Sequence, residues 1–391
     1  MFGKLGRISV DVLGHLLAGL AIRPKLLDAG AIIQRARHHT GLRDLGHIPH
    51  PEGLGVACRS LRHEAGLGLF GKIVVRDTLV NSVANRLRYV DARARVPQRF
   101  DVPLVPPIFV LGLPRSGTTF LHRLLCAVPG ARGIPIWESR QPIASTPDTR
   151  RRRTAWMVAG MRTFAPELMA KHAFELDSPE EAIALFDASL GWNPFLWRVA
   201  GCRSYVDWLL LQDASEPYRI FVDLLHWIAA PTPDHRLILK TPNHMGFVDL
   251  LHDLLPEAIF IQTHRDPARC IPSYASLSAT MHGLIKGGVD RPMLGAQSLK
   301  MWRTYAERVT QVRAARPDLR CIDVDYDELV GDPMGTVTRV FAEAALPLTH
   351  DIRTAVQAEI DKRPANRHGK HTYSTADFGL TEAGIRQAFE Q

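Results

Sequence analysis

The sequence predicts an α/β protein, an open parallel sheet flanked by helices behind an N-terminal helical cap. Short apolar runs at residues 108–111, 236–240 and 258–264 are bounded by proline, glycine or polar residues and read as buried strands, with 319–324 a further one. The intervals between them carry helical segments, and strands alternating with helices make a parallel sheet. These strands run into polar or basic residues such as Lys240 and His264-Arg265. In such sheets ligands lie beyond the carboxyl ends of the strands.

Residues 1–106 read as helical and are expected to cap the sheet. Leu26, Leu27, Ala31 and Ile32, then Leu79, Val80, Val83 and Leu87, recur at three- and four-residue spacing, and G-H-I-P-H-P at 46–51 breaks the pattern between them. At the very start, Lys4 and Arg7 precede an apolar run that mimics a secretion signal. Asp11 and His15 interrupt that run, no convincing cleavage site follows, and it is too short to span a bilayer. An interfacial helix with peripheral membrane contact stays open there. His38, His39, His47, His50 and His63 lack matching cysteine or carboxylate spacing, so they read as solvated or capping, and no metal is expected.

The main domain is expected over residues 107–391, with a helical insertion over 140–235 or so. After the first strand a helix runs through Leu125, and V-P-G-A-R-G-I-P-I-W-E-S reads as another short strand ending at Trp137-Glu138. Arg150 to Arg153 form a run of arginines, either a solvated face or a contact for an anionic acceptor or lipid headgroup. Six of the seven tryptophans lie between Trp137 and Trp227, as core packing or, given so uneven a distribution, as a locally apolar acceptor site. The polar, basic stretch 366–374, which contains Lys370, is a plain loop or a lid that brings cations to an anionic nucleotide. A last helix starts near Thr381.

Composition bounds the class. With 391 residues the chain can bury a large core, and 46% hydrophobic against 23% charged residues excludes a disordered protein. The net charge of +8 suits an anionic ligand or an acidic membrane without choosing between them, and no nucleic-acid module is present. Five widely spaced cysteines without a C-x-x-C pair suit a reducing cytoplasm.

Between the first strand and its helix lies G-L-P-R-S-G-T-T, residues 112–119. Loop amides and the first N–H groups of the helix converge there on one spot, which makes the sheet P-loop-like and the loop a phosphate cradle. Thr118 occupies the lysine position of the nucleoside-triphosphate loop, and the cation is Arg115, three residues earlier. A β/γ-phosphate pair needs that lysine and its metal-binding neighbour. One 5′-phosphate bearing a singly charged sulfonate needs less.

P-R-S-G-T-T after a strand resembles the 5′-phosphosulfate loop of the sulfotransferases, which use 3′-phosphoadenosine-5′-phosphosulfate (PAPS). The resemblance implies that Arg115, Ser116, Gly117, Thr118 and Thr119 hold the donor's 5′ end. In H-R-D-P-A-R-C-I-P-S-Y it implies Arg265 and Ser273 for the 3′-phosphate, in V-D-Y-D-E-L-V it implies Tyr326 beside the adenine, and Lys370 would add a late cation. Lys240 matches the family lysine near the transferring sulfonate. D-x-P-E-E at 177–181, Trp137-Glu138 and L-K-T-P-x-H resemble the large bacterial branch. Two features depart from the cytosolic enzymes: Arg115 stands where they carry lysine, as in the tyrosylprotein branch, and no tail clearly matches their R-K-G signature.

Sulfonate transfer needs a base for the acceptor hydroxyl and cations for the leaving phosphate. Arg115, Lys240 and the loop amides suit the second task. For the first, Glu138 and His172 stand where two branches of the family carry their base, with Glu181 a third candidate. Glu138 could instead pair with Arg140, and a lone histidine could be structural. Rival readings are a P-loop nucleoside-triphosphate-dependent kinase and a catalytically silent nucleotide-binding protein. The expected acceptor is a hydroxylated small molecule, lipid-like or aromatic.

Overall fold

The computed structural model describes residues 26–171, 174–194, 196, 201–286, 288–362 and 374–390. Five strands, β1 (Ile108–Gly112), β2 (Ala131–Arg132), β3 (Arg236–Lys240), β4 (Ile259–His264) and β5 (Cys321–Asp325), form one parallel sheet in the order β2-β3-β1-β4-β5. β1 is fully buried because both of its faces are covered, as parallel sheets require. Phe109 and Leu111 join Leu239 and Phe260 on one side, and Ile108 and Val110 join Ile238, Ile261 and Val324 on the other.

Helices α1 (Ala29–Thr40), α2 (Gly53–His63) and α3 (Leu69–Arg95) precede the sheet, and no strand precedes β1 among the described residues. α4 (Thr118–Cys126) carries the chain from β1 to β2. Between β2 and β3 lie α5 (Ile136–Arg140), α6 (Arg150–Phe164), α7 (Pro166–Lys171), α8 (Arg203–Leu211) and α9 (Ser215–Ala229). α10 (Val248–Leu254) leads to β4, and α11 (Pro267–Ile285) and α12 (Arg291–Ala315) lead to β5. α13 (Tyr326–Gly331), α14 (Pro333–Glu343), α15 (His350–Lys362) and α16 (Glu382–Glu390) complete the described chain.

The first helices dock largely on the interval between β2 and β3. Ser82 of α3 donates to the Asp187 carbonyl at 2.8 Å, and Asn81 and Asn85 donate to the Arg140 carbonyl at 3.0 and 2.8 Å. The stretch leading to Trp137-Glu138 departs from expectation. Its strand stops at Arg132, and Trp137 and Glu138 lie on α5, because Pro135 has no N–H for a ladder while its carbonyl accepts the N–H groups of Glu138 and Ser139. The N-terminal segment with its interfacial-helix reading falls outside the described residues. Among those described, no helix is long and apolar enough to cross a membrane. All five cysteines are free.

β1 lies between β3 and β4, so the loop after β1 opens into the crevice flanked by Lys240 and Thr263. Gly112 pairs with Thr263 at φ +136°, and a Cβ there would fall on the Thr263 hydroxyl and lie 2.7 Å from its carbonyl oxygen. Only a residue without a side chain allows that approach. Gly112→Ala should therefore destabilise the fold by roughly 2–4 kcal/mol, read as a lower urea midpoint; an unchanged midpoint would show that β1 and β4 can separate there without cost.

Candidate active site

The loop after β1 is fastened from both sides. Ser116 Oγ lies 2.6 Å from the Leu113 carbonyl and from Thr263 Oγ1, and Thr263 Oγ1 donates to the Leu111 carbonyl at 3.2 Å. Arg115 adopts φ 71° and Gly117, the N-cap of α4, φ 91°. The left-handed region is unfavourable for a residue with a side chain, so Arg115 needs an external hold, and Arg265 Nη1 donates to its carbonyl at 2.8 Å. This turn leaves the amides of Gly117, Thr118 and Thr119 without an acceptor among the described residues. Three unfilled donors at a helix start fit a phosphate oxygen set.

A second group closes on the same loop. Arg115 Nε donates to Ser273 Oγ at 3.2 Å, and the Arg265 guanidinium stacks 3.7 Å from the Tyr326 ring centroid. Tyr326 also packs on Gly117, where a Cβ would approach its ring to 3.1 Å. Five elements thus bring Arg115, Ser116, Gly117, Arg265, Ser273 and Tyr326 together. Asp266 fixes the start of α11 by accepting the Ala268 N–H at 2.9 Å, and Arg386 of α16 grips Asp266 at 2.7 Å. Thr118 is buried and Thr119 exposed at the start of α4. Lys171 points three hydrogen bonds at Ser276 and Thr280 of α11; burial first, then Arg291 and Arg115, lower its pKa.

The two candidate carboxylates sit on stitched segments. Pro135 bridges to Pro179, and Glu180 N–H donates to the Ile134 carbonyl at 2.9 Å. Glu138 is buried and its Oε2 accepts from Arg132 Nη2 at 2.6 Å, so its partner is Arg132 of β2 and not Arg140. Arg132 also donates to the Ile228 carbonyl, which holds it in place. Lys240, buried at the end of β3, donates to Glu181 Oε1 at 2.9 Å. His172 and Lys370 lie outside the described residues, as does the stretch 366–373.

Trp192, Trp208 and Trp227 pack towards the core, whereas Trp156 is exposed and Trp197 lies outside the described residues. Trp192 packs on Phe186 and Phe247, Trp208 stacks on Tyr205, and Trp227 packs on Phe100 beneath the Arg99 guanidinium. Among the described residues these rings make their contacts in distinct places. No group of three or more His, Cys, Asp or Glu placed to hold a metal occurs among the described residues.

Residues 106–351 match the model of the Sulfotransferase family. The chain belongs to the sulfotransferase family. Curated relatives include the omega-hydroxy-beta-dihydromenaquinone-9 sulfotransferases Stf3 of Mycobacterium bovis and Mycobacterium tuberculosis, each 26% identical over 270 residues. The match covers 62% of this chain and spans 63% of the length of those relatives. Among solved structures, sulfotransferase STF1 from Mycobacterium tuberculosis H37Rv superposes with a TM-score of 0.81 at 29% identity, covering 92% of this chain and 97% of that one. STF9 from Mycobacterium avium shares the fold with a TM-score of 0.83 at 24% identity, over 92% of this chain and 94% of its own.

Several residues in and around the candidate site escaped the sequence reading. Arg132 and Thr263 act through long-range contacts, and only the position of Thr263 just before His264-Arg265 hinted at it. His122, on α4, places Nε2 3.0 Å from the Ile238 carbonyl; burial first, then Lys240, holds its pKa down to about 4. His244 lies among Phe109, Phe186, Tyr218 and Phe221, and burial holds it down to about 3. Burial pushes the Asp187 carboxyl up to about 7, against the pull of Arg140 and of its hydrogen bonds from Asn193 and Asn81.

The signs follow from linkage. Both histidines take up protons near 6.5 in the unfolded chain but only near 4 and 3 in the folded one, so their contribution is full above pH 6.5 and is lost as pH falls. Asp187 acts oppositely: its folded form binds a proton near 7 and its unfolded form near 3.8, so acidification through that window favours the fold. Asp187→Asn should make the loss of stability between pH 6.5 and 4 steeper than in the wild type, measured by urea unfolding at stepped pH. Parallel curves would mean that Asp187 is ionised in the folded protein.

Proposed function

We propose that the chain transfers the sulfonate of PAPS to a hydroxyl of a small, apolar, lipid-like acceptor. The observation that carries this is the convergence of Arg115, Arg265, Ser273 and Tyr326 on a loop with unfilled amides. Bound PAPS would supply an activated sulfonate on a 5′-phosphate leaving group. The amides of 117–119 and Arg115 would hold that phosphate, Arg265 and Ser273 the 3′-phosphate, and Tyr326 the adenine side. Lys370 is proposed as a further cation. The name of the Stf3 relatives, a hydroxylated menaquinone derivative, supports a lipid-like acceptor.

In the reaction the acceptor oxygen attacks sulfur in line. A new O–S bond forms, the S–O bond to the phosphate breaks with its electron pair going to the phosphate, and the acceptor proton goes to the base. Lys240 and Arg115 counter the charge that grows on the leaving group. Glu138 is our choice of base. Arg132 fixes one of its oxygens, and the other, Oε1, can take a proton from the acceptor. Glu181 is engaged by Lys240, and His172 is the alternative. A kinase reading fares worse because Thr118 stands at the lysine position of the triphosphate loop.

Donor recognition has a differential test. By calorimetry, Ser273→Ala should lose about 1 kcal/mol and Arg265→Ala on the order of 1.5–3 kcal/mol of affinity for adenosine 3′,5′-bisphosphate. Arg265 also holds the loop, so its variant should weaken adenosine 5′-monophosphate binding in part; Ser273→Ala should spare it. Equal losses for both nucleotides in Ser273→Ala would remove the 3′-phosphate assignment. ATP with magnesium binding more tightly than either would favour the kinase.

The base has its own measurement. Glu138→Gln should cut single-turnover transfer from radiolabelled PAPS roughly 10²–10⁴-fold while donor affinity holds. Near-normal transfer would shift the role to His172 or Glu181, and a joint fall in melting temperature and donor affinity would mark Glu138 as a structural partner of Arg132.

A further inference from the structure

We infer that α6 is a docking face for an anionic lipid bilayer, formed by Arg152, Arg153 and Trp156 on one side of the helix. The inference rests on the proposed lipid-like acceptor for its purpose; its geometry stands independently. α6 reads R-R-R-R-T-A-W-M-V-A-G-M-R-T-F and contains no acidic residue. Arg150 is engaged by Asp148 and stacks over the Trp137 ring, and Arg151 is engaged by Asp177. The side chains of Arg152 and Arg153, both exposed, make no hydrogen bond or ion pair with any described residue. One turn on, Trp156 is 76% exposed, one of only two large hydrophobic side chains so exposed among the described residues.

The helix is anchored by its other side. Thr154 and Val158 are buried, whereas Arg152, Trp156, Ala159 and Thr163 face out at helical spacing, with open space around Gly160. The surroundings add positive charge. Behind burial, Arg35 and Arg153 both act to lower the pKa of His39, with Asp77 opposing, and Arg88 is held to about 10 by burial and by Arg153. An exposed indole beside unneutralised guanidinium groups is the composition of an interfacial helix, in which the ring enters the headgroup region and the arginines meet lipid phosphates. A second copy of the chain would place arginines against arginines in a two-fold contact, which charge disfavours. A free anion would leave the indole unused.

α6 is also well placed for such a role. The Arg150 guanidinium lies 5.0 Å from the centroid of Trp137, next to Glu138 on α5, and α7 ties the same segment to α11, the helix of Ser273, through Lys171. A docked α6 would hold the candidate base close to the membrane from which a lipid hydroxyl must come.

The test is co-sedimentation of the full chain with phosphatidylcholine vesicles, with and without phosphatidylglycerol, and needs neither donor nor acceptor. Failure of the sulfonate-transfer reading would therefore leave its outcome intact. Wild type should bind only the anionic vesicles, and less so at high salt. Arg152→Ala/Arg153→Ala/Trp156→Ala should weaken binding roughly tenfold or more with an unchanged melting temperature, whereas Arg152→Lys/Arg153→Lys should retain it. Wild-type levels of binding by the triple variant, or no binding by the wild type, would overturn the inference. So would self-association that the triple variant abolishes without any change in vesicle binding.

Discussion

The hydrogen bond from Arg265 to the carbonyl of Arg115 is the constraint on which the candidate site depends. It holds a residue with a side chain in the left-handed region and so turns the amides of the next residues outward. The same guanidinium stacks on Tyr326, and Tyr326 in turn packs on Gly117. One cation thus connects the ends of β1, β4 and β5. The strands supply the rigidity and the loops supply the donors, an arrangement in which binding groups are set before a ligand arrives.

Charge is balanced in advance around this frame. Lys240 rests on Glu181, and Glu138 rests on Arg132. Each pair sits largely out of water, where an isolated charge would be costly. Lys240 is the more deeply buried of the two cations, and Arg132 is anchored in addition by the Ile228 carbonyl.

Much of the fold was legible because its signals are local. The apolar runs at β1, β3 and β4, the glycine-bearing loop and the helical spacing after it each lie within a few residues, and the spacing of Arg265 and Ser273 is that of a strand end and the helix following it. Trp137-Glu138 misled because an apolar run behind Gly133 and Pro135 looks like a strand until the missing amide of Pro135 is counted. The partner of Glu138 was hidden for another reason: Arg140 is nearer in sequence, but β2 and α5 fold back so that Arg132 reaches it. The tryptophan distribution left core packing and an acceptor site open, and Trp192, Trp208 and Trp227 pack in or against the core.

The free cysteines have a practical consequence. Burial pushes the thiols of Cys58, Cys202, Cys270 and Cys321 up to about 12, and that of Cys126 higher still. Thiolate is the nucleophile in alkylation and disulfide exchange, so at neutral pH these side chains are nearly inert. A cysteine introduced at an exposed position would then be the sole fast-reacting thiol in the molecule. Fluorophores or spin labels could be attached at one chosen site on the native background, with all five natural cysteines left in place.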